Sequence, residues 1–342
     1  MSDKKPSKRG GYLGLFAPFA VVLLALAAWT VWWFVVAHKI ETETDREVQA
    51  LGKAGYTVAW RQRTISGWPF RTFVKFDGVY IAAPGGAAMG AQELAAEAET
   101  FQLGKWVIAA PKGLWWTRSK TEGTVKIDAL AIRASVDHLD TFPGDVRVEL
   151  RQPVFTPQPG AQPFPLASAQ YIDFNLMPKA NDAGAGAFLV VFDGAKATPA
   201  SQLGSIIGDQ PFLARWEGAL EHLDRAKGGS WKGAVGAWTR ADGDITDSHA
   251  EFVQGDAAVE AASPALTVST DGRLSGDVTL DLRRANKVLD RALNSSMGQA
   301  NASGFAGSVL RGIASQTKVV VTFDGKDTRF AGQRLAAASK IF

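Results

Sequence analysis

The chain has 342 residues, 21% of them charged, a net charge of +3 and no cysteine. The absent thiols exclude disulfide staples, a thiol nucleophile and a thiolate metal site. The charge excess lies wholly in residues 1–9, where Lys4, Lys5, Lys8 and Arg9 face only Asp3, so the remainder is neutral and composition lends no support to nucleic-acid binding.

Gly11 to Ala37 carries no charge. A bilayer core takes roughly 20 apolar residues as a helix, and this run exceeds that. Trp29, Trp32 and Trp33 crowd its second half, where an indole can sit at headgroup level. The basic residues ahead of it predict a cytoplasmic N-terminus and an exported remainder. Ala25-Leu26-Ala27 resembles a signal-peptide cleavage site, but the apolar residues continue well past it, which favours an uncleaved anchor. The expected divisions are a basic tail over 1–10, a transmembrane anchor over 11–38, a juxtamembrane helix over 39–55 and an exported β-rich domain over 56–342.

In the juxtamembrane segment the acids come early and Lys53 comes late, which suits a helix dipole. From Tyr56 the apolar period becomes two. Tyr56, Val58 and Trp60 share a face, Gly67-Trp68-Pro69-Phe70-Arg71 makes a corner, and Phe73 to Ile81 resumes a strand. Ala91 to Phe101 is open between helix, by its alanines and glutamates, and strand, by its alternation. Lys105–Ala109, Gly113–Thr117, Val125–Val136 and Val146–Phe155 read as strands, the last with Val146, Val148 and Leu150 on one side and Arg147, Glu149 and Arg151 on the other. Residues 153–165 hold five prolines and form a linker between two lobes or an edge crossing.

Ala169–Met177 and Ala187–Asp193 suggest a hairpin. A helix is expected from an N-cap at Thr198 to Gly208, with Leu203, Ile206 and Ile207 buried. Leu213–Leu223, Gly233–Arg240, Ile245–Val253, Ala257–Ala262, Ala265–Thr270 and Arg273–Arg284 follow as strands. Asn286–Ala300, with Leu289, Leu293 and Met297 in register, predicts a helix, with a weaker one over Gly304–Gly312. A strand over Val319–Phe323 then turns at Asp324-Gly325. Gly144–Arg151 and Gly276–Arg283 agree at five of eight positions, which two related lobes or two similar amphipathic strands would explain.

No catalytic constellation emerges, and no catalytic, cofactor-binding or metal residues are assigned. The histidines, His38, His138, His222 and His249, lack metal-site spacing. Asp242, Asp244 and Asp247 lack the glycine and distal glutamate of a calcium loop. Phosphate-loop and nucleophile-elbow motifs are missing from the sequence. The remaining signal is aromatic. Trp68, Phe70, Trp115 and Trp116 are the candidate contacts for lipid or a partner, and Trp29, Trp32 and Trp33 the candidate membrane-interface residues.

The anchor, the helix behind it and the Gly67–Arg71 corner resemble the bacterial family known as domain of unknown function 2125. Asp271-Gly272-Arg273-Leu274-Ser275-Gly276, the strand and helix after it, and Phe323-Asp324-Gly325 extend the resemblance over nearly the whole exported part. It implies an inner-membrane protein of Gram-negative bacteria, carries over no catalytic residues, and is more remotely similar to AsmA-like envelope proteins whose curved sheets hold lipid.

The expected fold is mainly β: an extended, curved antiparallel sheet with a few packed helices, on a single N-terminal transmembrane helix. The expected protein is non-enzymatic, anchored in the inner membrane and periplasmic, and contacts lipid or lipid-linked material through an apolar sheet face. The alternative is a scaffold that binds an envelope protein along a sheet edge.

Overall fold

A chain of uncharged residues satisfies its own backbone most economically by coiling, and one helix, α1 (Leu13–Lys53), takes up the apolar run. The structure, a computed structural model, describes residues 13–138, 143–228, 231–269, 271–284, 318–330 and 333–337. The basic tail and the helices expected over 286–300 and 304–312 lie outside those residues. Anchor and juxtamembrane segment are a single helix of 41 residues, roughly 60 Å long at 1.5 Å per residue. Its first half is no core helix of a soluble domain, because Phe19 is 65% and Leu24 71% exposed. By length and composition α1 can cross a membrane.

Every described strand belongs to one antiparallel sheet, most of it a meander. β1 (Thr57–Ala59) and β2 (Gln62–Ser66) both pair with β3 (Arg71–Ala82), and β3 pairs with β4 (Ala88–Glu99). The segment open between helix and strand is therefore strand. Pairing along both its edges outweighs the helix preference of its alanines and glutamates.

Four long strands follow, each bent midway. They are β5 (Gln102–Ala109) with β6 (Leu114–Ser119), β7 (Gly123–Asp128) with β8 (Ala131–Asp137), β9 (Asp145–Arg151) with β10 (Val154–Pro157), and β11 (Leu166–Ser168) with β12 (Tyr171–Lys179). The halves β5, β8, β9 and β12 make one leaf between β4 and β13 (Asp182–Ala197). The halves β6, β7, β10 and β11 make a second leaf between the same two strands. The bends line up as a crease, and backbone bonds run straight through it: Ala110 N to Ile132 O, Leu130 N to Arg151 O, Gln152 N to Gln170 O and Gln170 N to Asp193 O, 2.8–3.1 Å.

The crease corrects two expected strands. Residues 125–136 break at Ala129-Leu130, and residues 146–155 break at Gln152-Pro153, where Gln152 has φ 49° and Pro153 is fully buried. Strands that change leaf need such bends. The proline-rich stretch supplies β10 and the loop from β10 to β11, and β9 and β12 on either side of it pair directly. Arg118 holds it, donating to the Gln162 carbonyl at 2.7 Å, while Phe164 stacks on Phe155 at 4.8 Å.

The meander continues through β14 (Phe212–Leu220), β15 (Asp244–Gln254), β16 (Ala257–Val268), β17 (Leu274–Arg284), β18 (Lys318–Asp324), β19 (Asp327–Phe330) and β20 (Gln333–Ala337), each paired with the next. α2 (Gln202–Ile207) starts later than expected. Its N-cap is Ser201, whose Oγ accepts from Gly204 N at 3.0 Å, and Gly208 ends it. Gly233–Arg240, expected as strand, belongs to helix α3 (Trp231–Arg240). Val235 and Trp238, three residues apart, pack together on Val268, a spacing that only a helix brings to one face.

Three clusters stand out in the core among the described residues. One fills the inside of the crease with Val125, Ile127 and Phe155 from one leaf and Ile132 from the other. The second sets Ile207 of α2 against Phe212 and Ala195. The third sets α3 against Leu220, Ile245 and Val268.

Candidate functional site

Residues directly opposed on neighbouring strands share a face. Followed through the ladder pairs, one face carries an unbroken apolar row of Ile65, Val74, Ala96, Ile108, Ala134, Val148, Phe174, Val190, Trp216, Ala250, Ala261, Leu280 and Val319. At about 4.8 Å per strand the row is roughly 58 Å long. Beside it runs a second row, Ile132, Leu150, Ile172, Phe192, Ala214, Phe252 and Val259. The opposite face is polar. There Arg147 Nε reaches Asp173 Oδ1 at 3.1 Å, the Tyr171 hydroxyl donates to Glu149 at 2.8 Å, and burial pushes the Tyr171 phenol up.

The longer row is buried near its ends and more open between them. Val74 and Val319 are 2% and 3% exposed, whereas Trp216 is 42% exposed. Two hollows widen this floor. One, about 360 Å³, is lined by Val190, Phe192, Ala214, Trp216, Ala250, Phe252, Val259 and Ala261, with Arg215 and Glu251 its polar members. α2 packs at the Phe212 end of this region and α3 at the Leu220 end, so two helices bank the hollow. The other, about 380 Å³, lies inside the crease and includes Met89, Leu114, Trp116, Ile127, Ile132, Val148 and Leu150. Val148 and Leu150 belong to the two rows, so both hollows lie on one apolar trough.

At its first end the trough meets α1. Trp29, Trp33, Val36, Ile40, Thr44 and Val48 recur three or four residues apart and make the shielded side of the helix, with Trp33 6% and Val36 3% exposed. Arg63, which shares the face of Ile65, bonds Glu41 and Asp45 at 2.8 Å each. Its guanidinium is raised above its ordinary value by Asp45 first, against the lowering by burial. Lower on the helix, the Trp29 indole donates to the Pro69 carbonyl at 2.7 Å, Trp33 donates to the Arg71 carbonyl at 3.0 Å, and Trp68 donates to Thr30 Oγ1 at 3.2 Å. The β1–β2 segment therefore runs antiparallel along α1 and ends in a corner seated on the anchor.

Gly67 makes that corner possible. Its φ is +104°, and a Cβ there would lie 2.7 Å from the Arg71 carbonyl oxygen. The β4–β5 turn is tied to it by Thr100 N, which donates to the Phe70 carbonyl at 3.0 Å.

The candidate residues divide between these places. Trp68 and Phe70 sit at the corner, 47% and 65% exposed. Trp116 lines the crease hollow and Trp115 points to the other side, against Tyr80 at 5.6 Å, where a Cβ on Gly90 would collide with its indole. Of the interface tryptophans, Trp29 and Trp33 hold the corner and Trp32 is half exposed. The sequence reading missed Phe101, Met89 and the Trp216 row. Phe101 stands at the end of a segment open between helix and strand, and no local pattern joins Trp216 to its cross-strand neighbours.

Comparison with curated proteins and with solved structures returns no match. Residues 33–324 match the model of a family described as uncharacterized proteins conserved in bacteria, DUF2125. That span runs from the docked Trp33 to Asp324 at the end of β18, and the chain belongs to the DUF2125 family.

Proposed function

We propose that this is a non-enzymatic protein of the bacterial cell envelope, held in the inner membrane by α1 with its N-terminus in the cytoplasm and its sheet in the periplasm. In this reading the trough holds acyl chains of lipid or of lipid-linked material. The observation that carries it is the thirteen-strand apolar row, half open along its middle. Half of a bilayer's roughly 30 Å core is about one acyl chain, so the floor has the length of several. An exposed apolar surface of this extent is unusual unless something covers it.

The test is the full-length chain extracted in native membrane discs and its bound lipid read by mass spectrometry. Stoichiometric lipid is expected. Trp216→Glu and Met89→Glu, each placing a charge in one hollow, should lower occupancy about tenfold or more. Absence of lipid from the wild-type chain would overturn the reading. Crosslinks from β20 to one dominant envelope protein, with both charge variants silent, would favour a scaffold that uses the sheet edge.

A further inference from the structure

The corner at Gly67–Arg71 has a fixed height on α1, and that height leads to a second membrane contact. We infer that Trp68, Phe70 and Phe101 form a wedge lying in the outer headgroup–acyl boundary of the bilayer that α1 crosses. The inference rests on the reading of α1 as a membrane span.

Three observations carry it. The corner is bonded to Trp29, Thr30 and Trp33, all inside the uncharged run. Those residues lie about 7–14 Å down the helix axis from His38 at 1.5 Å per residue. A core of roughly 20 helical residues counted from Leu13, where α1 begins, ends near Trp32. The corner is thus level with the outer edge of the hydrocarbon, where aromatic rings concentrate.

The second observation is exposure. Trp68 is 47%, Phe70 65% and Phe101 67% exposed. Three large apolar side chains are bare at the one rim that the helix contacts bring to that depth. The third is continuity. Thr100 N bonds the Phe70 carbonyl, and Thr72 and Thr100 share a buried hydroxyl contact at 3.3 Å, so turn and corner move as one piece. The adjacent charge, Arg71, is paired with Glu97 and sits one residue further from the tip.

The chain has no cysteine, so single cysteines can each carry a polarity-sensitive dye. The variants are Leu24→Cys, Phe70→Cys, Phe101→Cys and Lys120→Cys, in the full-length chain reconstituted into phosphatidylcholine–phosphatidylglycerol vesicles. Phe70, Phe101 and Lys120 are exposed and belong to none of the core clusters, so these replacements spare the core, Phe70 giving up a ring contact with Trp29 at 6.5 Å. Lys120 lies beside Gly86 at the far rim. Dyes at 24, 70 and 101 should emit at shorter wavelength than the dye at 120. They should be quenched by nitroxide-bearing lipid and escape aqueous iodide. A lipid-buried 24 with 70 and 101 as open to iodide as 120 overturns the wedge alone. A water-exposed 24 overturns the wedge together with the span on which it rests.

Discussion

Lys179 Nζ bonds Glu221 Oε1 at 2.6 Å, and the Thr246 hydroxyl donates to the same oxygen at 2.7 Å. Lys179 first, then Thr246, hold the Glu221 carboxyl below its ordinary value of 4.5, against the effect of burial. A carboxylate depressed in this way adds stability that is fully present above its unfolded value and is lost as pH falls through its folded one. Denaturant midpoints measured across pH should therefore fall below about pH 4.5 with a contribution from this site. Lys179→Met should flatten that contribution while leaving the midpoint's pH dependence between about pH 6 and 9 unchanged, below the range in which Lys179, itself raised by Glu221, titrates. The ion pair also ties the β12–β13 hairpin to the end of β14, beside the Trp238 indole, which donates to the Glu221 carbonyl.

At the scale of elements the proline-rich crossing is the feature to test, and Arg118 is its clamp. The side chain is 11% exposed, donates to the carbonyls of Glu122 and Gln162, and lies over the Phe164 ring at 5.6 Å. Arg118→Met keeps the aliphatic stem and removes those charged donors, each typically about 1.5–3 kcal/mol. The expected result is new protease cleavage between residues 158 and 165 and a lower unfolding midpoint. Unchanged digestion would show that the crossing holds itself.

These elements also show what the sequence could and could not convey. Alternation in Val146–Leu150 and in Arg273–Arg284 marks strands, because the period of two belongs to the strand itself. The fifth positions of the two similar octapeptides, Val148 and Leu280, even fall in the same apolar row. The bend at Ala129-Leu130 left no comparable mark, since apolar residues continue through it to Ile132. α3 was misread because its small residues hide the three-residue spacing of Val235 and Trp238. The Gly67–Arg71 corner was legible from glycine, proline and aromatics, but its seat on Trp29 and Trp33 joins residues about forty positions apart, and no local pattern encodes that.

At the scale of the whole molecule, each long strand finds its partners among its sequence neighbours, as in a solenoid where every unit touches only the next. Stability should then be divisible along the chain. A chain ended after Val268 loses β17 to β20 yet keeps α1, the crease and the larger part of the floor. It should retain a protease-resistant body and lose denaturant sensitivity in proportion to the surface removed. Collapse of the whole body on that truncation would mean that the last strands hold the rest together.

The neighbour-to-neighbour pairing has one more outcome, for biogenesis. In the topology proposed above, a polypeptide fed tail-last through a translocation channel, its leading helix already lodged, meets no wait for distant sequence. Each arriving strand completes the ladder of the one before it, so unpaired edge is limited to a single strand at any moment. Sheets that close only when first and last strands meet expose far more adhesive edge and fold more slowly. This chain can zip shut at the pace of its own arrival.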